Sequence, residues 1–291
     1  MNIADLFCYY SVLISTFFRF LVELDRKMFT IHSTLIAHHS KPLNVLINEN
    51  MLKAKKKCVS LKDVDENTFV RFSQYAYTED YIAANSDILS DFFTIISTHL
   101  VSNEVFNAQS KSESELELVR NLFDFDISND DWRFFKKNKK KAKIWSKKFE
   151  LWGNFKSKAY IISKPAFQSW KNRELCEDYT EIFLYHARLY VFADKYDVDS
   201  LKDLSLHMLQ RTLIEFTLYD ERIENIINLL RYSYSNTTDR SESIDDLRLL
   251  VVHYFTCVVE NLSRSNEFQL LLKKVDSFAR DLVKQMLERL S

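Results

Sequence analysis

A single glycine, Gly153, occurs among 291 residues, where average usage would be roughly 7%. Phosphate cradles and close passes of main chain against a cofactor need positions without a Cβ, so the scarcity argues against P-loop and dinucleotide sites. A nucleophile elbow is absent too. Only two prolines accompany it, Pro42 and Pro165. Both residue types are penalised inside helices, and their rarity predicts a mainly helical protein.

The apolar share of 46% can supply a sizeable core, and at 291 residues the chain can hold one large or two small domains. Charged residues at 28% balance to a formal net charge of -1. No whole-molecule field therefore selects nucleic acid, membrane or an acidic substrate. Four scattered cysteines, Cys8, Cys58, Cys176 and Cys257, form no CxxC pair, which predicts reduced thiols in an intracellular protein. The stretch from Leu6 to Leu24 is largely apolar, but Asp5 precedes it, no small-residue cleavage site follows, and it carries Arg19 and Glu23. Neither a signal peptide nor a membrane span is expected there.

Composition separates residues 17–82, apolar and short-period, from 83–180, which hold an acidic and then a basic block; 181–235 are strongly helical, and 236–291 add two amphipathic helices after a polar break. Phe20, Val22 and Leu24, then Phe29 and Ile31, alternate as in two short strands around the polar turn Asp25, Arg26 and Lys27. Ser33 to Ala37 read as a short helix that stops by Pro42, since proline biases Lys41 away from helical geometry. Val59 to Leu61 read as a strand. Asp63, Asp65 and Asn67 then supply turn and cap chemistry before a helix bearing Phe69, Phe72, Tyr75 and Ala76. Phe183 to Ala193 is apolar almost all round and is predicted to lie centrally. Ser200 with Asp203, and Ser243 with Asp246, resemble helix caps. Ile223, Ile226, Ile227 and Leu230 form a helical stripe, as do Ile244, Leu247, Val251, Tyr254 and Val258. One last helix is predicted to carry Phe268, Leu271, Val275, Phe278, Leu282 and Met286.

The order hairpin, helix, strand, helix and helical hairpin, taken with particular blocks of residues, resembles a known family. The blocks are Met28 to Ser33, His38 to Ser40, Val59 to Asp65, Thr68-Phe69, Tyr75 to Tyr81, Ala187 to Tyr196 and Leu201 to Leu204. Together they are similar to BTB/POZ domain proteins of the filamentous-fungal type. The resemblance implies an α+β, helix-dominated fold: a BTB/POZ-like domain, a short β-hairpin and strand packed with helices, split between residues 17–82 and 181–216. A long charged insert, 83–180, interrupts it and a helical extension, 217–291, follows. Residues 1–16 match nothing in the family. The structural motif positions are Phe29, His32, Ser40, Leu61, Asp65, Phe69, Tyr75, Tyr77, Thr78, Tyr81, Ala187, Tyr190, Ala193, Tyr196 and Leu201. Where the family usually has glycine, this chain has Glu23 or Leu24, Asn50 and Glu79. Glutamate adopts left-handed geometry poorly, so the loops at Glu23 and Glu79 are expected to differ.

Functionally, the resemblance implies a non-enzymatic protein–protein interaction module that pairs with itself or with another BTB chain. Some family members link substrates to cullin ubiquitin ligases and others scaffold transcription complexes. No separate substrate-reading domain is visible, and no cofactor is implied. The segment Lys136, Lys137, Lys139, Lys140, Lys141 and Lys143 reads as a nuclear-import signal, as a phosphate-binding patch interleaved with Trp145 and Phe149, or as a solvated run paired with the acidic residues Glu113 to Asp131. Balanced net charge favours the last. A nuclear nucleic-acid-associated protein is the alternative function, and the expected location is cytoplasmic, nuclear or both. His32, His38, His39, His186 and His207 lack the spacing of metal ligands and read as packing residues. Asp63, Asp65, Glu66 and Asp80 read as turn and cap residues, and Cys58 has no His, Asn or Asp arrangement for nucleophilic catalysis.

Overall fold

A computed structural model of the chain describes residues 10–48, 57–83, 87–88, 139–160, 171–172, 177–238 and 243–290. Strands β1 (Phe17–Val22) and β2 (Lys27–His32) form an antiparallel hairpin with Phe18 opposite Ile31 and Phe20 opposite Phe29. Side-chain alternation puts Phe18, Phe20, Val22 and Ile31 on the buried face. Leu24, read as a strand residue, is instead exposed in the turn. The chain reverses one residue earlier, where Glu23 takes left-handed backbone geometry (φ 59°).

Helix α1 (Ser33–His39) stops at Ser40, and α2 (Lys41–Asn48) starts at once. Lys41 is helical, contrary to its expected extended geometry, because Pro42 falls in the first turn, where its missing N–H leaves no intrahelical bond unmade. Strand β3 (Cys58–Leu61) runs parallel to β1, giving the sheet order β2-β1-β3. Helix α3 (Glu66–Thr78) is capped by Asp65, whose carboxylate accepts from the Thr68 N–H at 2.9 Å. Two short strands, β4 (Asp87–Ile88) and β5 (Glu177–Asp178), pair antiparallel. Between them in sequence lies α4 (Lys139–Ser157).

Helices α5 (Thr180–Lys195) and α6 (Asp199–Glu215) form a hairpin. A 3-10 turn (Asp220–Arg222) leads into α7 (Ile223–Asn236), followed by α8 (Asp246–Leu262), α9 (Asn266–Lys274) and α10 (Asp276–Leu290). The described residues thus make a helix-dominated α+β fold with a small three-stranded sheet. Two expected caps move. Val198 precedes α6 with no side-chain cap, so Ser200 and Asp203 make no capping box, and α8 is capped by Asp245 rather than Ser243. The single last helix is two. It breaks at Val275, whose N–H bonds the Leu271 carbonyl, and the break lets Phe268 and Leu271 of α9 meet Phe278 and Leu282 of α10 in one core.

Two hydrophobic cores share one wall. The first gathers Phe18, Phe20, Ile31, Phe69 and Phe72 around Leu189, Phe192, Leu201 and Met208. The second gathers Phe183, Ala187, Tyr190, Leu209 and Leu213 with Ile226, Leu230, Val251, Phe255 and Phe278. Both draw on α5 and α6, which explains why Phe183 to Ala193 has almost no polar face: each side of α5 meets a different core. Part of the segment read as a charged insert belongs to the second core. Phe155 of α4 is buried, stacks with Trp152 at 5.5 Å and packs against Tyr254, while Gln210 donates to its carbonyl.

The one glycine sits where the backbone does not need it. Gly153 lies within α4 with nothing inside 4 Å of an added Cβ. The left-handed positions belong instead to Glu23, Arg26, Lys57, Glu79 and Asp197, so two glutamates take the backbone geometry that glycine adopts most readily. Asn50 lies outside the described residues. Left-handed geometry costs a residue with a Cβ roughly 1–2 kcal/mol. At Glu23 a compensation exists: its carboxylate accepts from the Glu66 N–H at 2.7 Å, at the start of α3. Among the described residues, the Glu79 side chain makes no hydrogen bond. Glu79→Gly is therefore expected to raise the unfolding free energy by about 1 kcal/mol, as is Gly153→Ala, while Glu23→Gly gives no gain. Urea midpoints of the three variants check this, and a stabilised Glu23→Gly would contradict it.

Candidate interaction surface

Most of the motif residues point inward. Leu61, Phe69, Tyr75, Tyr81, Ala193, Tyr196 and Leu201 are buried in the first core, Ala187 and Tyr190 in the second, and Phe29 packs on Phe69. Ser40 is buried where the two halves of the chain meet. Its hydroxyl donates to the Tyr196 carbonyl (2.5 Å) and accepts from the Leu43 N–H (3.0 Å), so one side chain joins the α1–α2 corner to the end of α5. An ion pair between Lys195 and Asp63 makes a second tie. His32 and Tyr77 form a partly exposed pair: His32 Nδ1 lies 2.8 Å from the Tyr77 hydroxyl, and the Phe17 ring packs against the imidazole at a tilt, with centroids 4.3 Å apart. The Thr78 hydroxyl accepts from the Asp80 N–H at 3.2 Å and sits 2.9 Å from the Gln74 carbonyl.

Beneath α3 lies a buried polar pair that spacing did not reveal. The Thr212 hydroxyl donates to the Met208 carbonyl (2.8 Å), so it can only accept from His186 Nε2 (3.5 Å). His186 Nδ1 is then the acceptor for the Tyr81 hydroxyl at 2.7 Å. Burial, reinforced by the nearby Arg71 charge, holds the imidazole neutral and pushes its pKa down to about 3. Burial also pushes the Tyr81 hydroxyl well above its ordinary range. In the second core the Tyr190 hydroxyl donates to Asp245 at 2.9 Å, and burial raises the Asp245 carboxyl. Asp245 directly precedes the apolar run of α8, a cap signal that the Ser243 and Asp246 spacing masked. His39 donates from Nε2 to the Ala76 carbonyl at 3.2 Å, and burial lowers its pKa.

These arrangements are structural joints. Among the described residues no group of three His, Cys, Asp or Glu side chains is placed to hold a metal, and no helix is long and apolar enough to cross a membrane. Cys58 and Cys257 are free thiols, while Cys8 and Cys176 lie outside the described residues. So do Lys136, Lys137 and the acidic run 113–131. Lys139, Lys140, Lys141 and Lys143 fall in α4. Further along that helix Lys148 pairs with Glu260 at 3.5 Å, which ties it to α8.

At the start of β1 the surface presents apolar side chains. A helical stretch over residues 10–14 leads into β1 and is anchored by Val12 against the first core and by the Thr34 hydroxyl donating to Ser15 at 3.0 Å. Its other large apolar side chains are exposed: Tyr10 is 64%, Leu13 76% and Ile14 66% exposed, and Phe17, at the start of β1, is 56% exposed. Residues 1–16 had suggested no role for this part of the chain. No family model matches the chain, and no curated protein matches it.

Proposed function

We propose that the chain is a non-enzymatic protein–protein interaction module of the BTB/POZ kind that pairs with itself, or with another BTB chain, through the surface around Tyr10, Leu13, Ile14 and Phe17. The exposure of those four neighbouring side chains carries the reading. Large apolar side chains clustered on a surface mark a contact site, and burying each on association stabilises it by about 1.5–3 kcal/mol. Supporting the fold part of the proposal are the β2-β1-β3 order, with a hairpin followed by a parallel strand, and the burial of most motif residues. A rigid domain beneath the cluster keeps the entropic cost of pairing low. The assemblies it would serve, by resemblance, are a cullin ubiquitin ligase adaptor or a transcription-complex scaffold, in the cytoplasm or nucleus.

Sedimentation velocity of the whole chain tests this. A concentration-dependent dimer is expected in the micromolar range, and Leu13→Asp with Ile14→Asp is expected to leave a monomer with unchanged circular dichroism. A wild-type chain monomeric throughout that range would overturn self-pairing, and a dimer indifferent to both substitutions would overturn the assignment of the surface.

A further inference from the structure

Strand β2 is an edge of the three-stranded sheet, and the bonds made by β1 fix which way its backbone groups point. The Arg19 N–H donates to the Lys57 carbonyl at 3.0 Å and the Glu23 N–H to the Leu61 carbonyl at 3.1 Å, so these alternate residues of β1 serve β3. The residues between them serve β2, and the Ser33 N–H donating to the Thr16 carbonyl at 2.9 Å continues that ladder. On β2 the bonded residues are then Lys27, Phe29 and Ile31, while Met28, Thr30 and His32 aim their N–H and carbonyl groups at the outer edge. His32 meets a cap there: its N–H donates to the Tyr77 hydroxyl at 3.4 Å. Among the described residues no strand pairs with that edge. Met28, 61% exposed, and Thr30 face solvent. Lysine often blunts such an edge, but Lys27 is held in an ion pair with Glu66.

Open backbone groups in this arrangement take an extended strand, and the register selects a second copy. An antiparallel partner related by a two-fold axis at Phe29 sets Met28 of each chain against Thr30 of the other. Each Met28–Thr30 pair exchanges both of its N–H to carbonyl bonds, so every open group of the two residues is used in a closed, isologous contact. Phe29, packed on Phe69 at 5.3 Å, meets its own copy on the inner face. Antiparallel order also carries the turn of one chain, where Leu24 is 81% exposed, toward the His32 end of the other. Phe17 lies opposite His32, and exposed Leu13 and Ile14 precede it. Resting on the self-association proposed above, we infer that two copies join edge to edge through β2, Met28 pairing with Thr30 across a two-fold axis at Phe29.

Backbone hydrogen exchange of the full chain, followed as its concentration rises through the dimer range, reads the contact. The Met28 and Thr30 amides are expected to slow about tenfold once about nine-tenths of the chain is dimeric, because only the remaining monomer exposes them. Phe29 and Ile31, already bonded to β1, are expected to change little. Thr30→Pro removes an outward N–H and leaves the β1 ladder whole, since proline is tolerated at such an edge position. It is expected to weaken dimerisation about thirtyfold, the loss of two hydrogen bonds per dimer, with unchanged circular dichroism. Register is read separately by air oxidation. Chains carrying Met28→Cys and chains carrying Thr30→Cys are expected to cross-link when mixed beyond what either does alone, the native cysteines being common to all samples; the paired Cα atoms would lie about 5.5 Å apart, within disulfide reach. A wild-type chain that does not dimerise would overturn both this inference and the self-association on which it rests. Dimers whose Met28 and Thr30 amides exchange at the monomer rate, or that show no excess mixed cross-link, would overturn the edge pairing and leave self-association standing.

Discussion

Phe155→Ala is expected to lower the unfolding free energy by about 3–5 kcal/mol, the cost of emptying a phenylalanine site in a packed core. The side chain is 3% exposed and lies between the Trp152 ring and Tyr254, with ring centroids 5.5 Å and 5.8 Å away. Its backbone carbonyl receives Gln210 from α6. Alanine leaves a cavity at the junction of α4, α6 and α8 that none of these helices can fill without breaking its own contacts. Denaturant unfolding measures the loss. A variant within about 1 kcal/mol of wild type, the scale of a surface change, would mean that α4 is an appendage rather than part of the second core.

Acid should unfold the protein through His186. The unfolded imidazole titrates at 6.5 and the folded one at about 3. A lowered histidine pKa contributes stability that is complete above 6.5 and is lost as pH falls toward the folded value, because only the unfolded chain binds the proton in between. At about 1.4 kcal/mol per pH unit, this group removes about 3 kcal/mol between pH 6.5 and pH 4. His39 acts in the same direction. Asp245 acts in the opposite one, since a raised carboxyl favours the folded state in acid and loses that contribution as pH rises through its folded pKa. His186→Gln keeps a donor and an acceptor between Tyr81 and Thr212 but removes the titration. Its stability should fall less steeply over that interval than that of wild type. Parallel pH profiles for the two chains would contradict the assignment.

Period-2 alternation at Phe18, Phe20 and Ile31 and helical spacing at Phe69, Phe72 and Tyr75 made the elements of the first core legible, because burial acts directly on those side chains. The apolar girth of Phe183 to Ala193 signalled a central helix but not its reason, since a sequence pattern does not distinguish one surrounding core from two. The break at Val275 was hidden for a related reason: the apolar stripe of Phe268 to Met286 continues across it, and the interruption is a backbone event. Phe155 was read as part of an insert because its neighbours are lysines, whose stems pack while their charges stay in water. The Tyr81–His186 bond joins residues far apart in sequence, and local spacing cannot report it. The exposed cluster at Tyr10, Leu13 and Ile14 is visible in the sequence only as an apolar run, which fits burial as well as exposure.

The central claim is that residues 17–82 and 181–216 form one domain despite the sequence between them, with Ser40 and Tyr196 at the seam. A specific-protease site placed between residues 100 and 110 tests it most directly. After complete cleavage the two fragments are expected to co-migrate as one particle in size-exclusion chromatography and to regain native circular dichroism only when refolded together. Fragments that separate under native conditions, each retaining its own structure, would contradict the account.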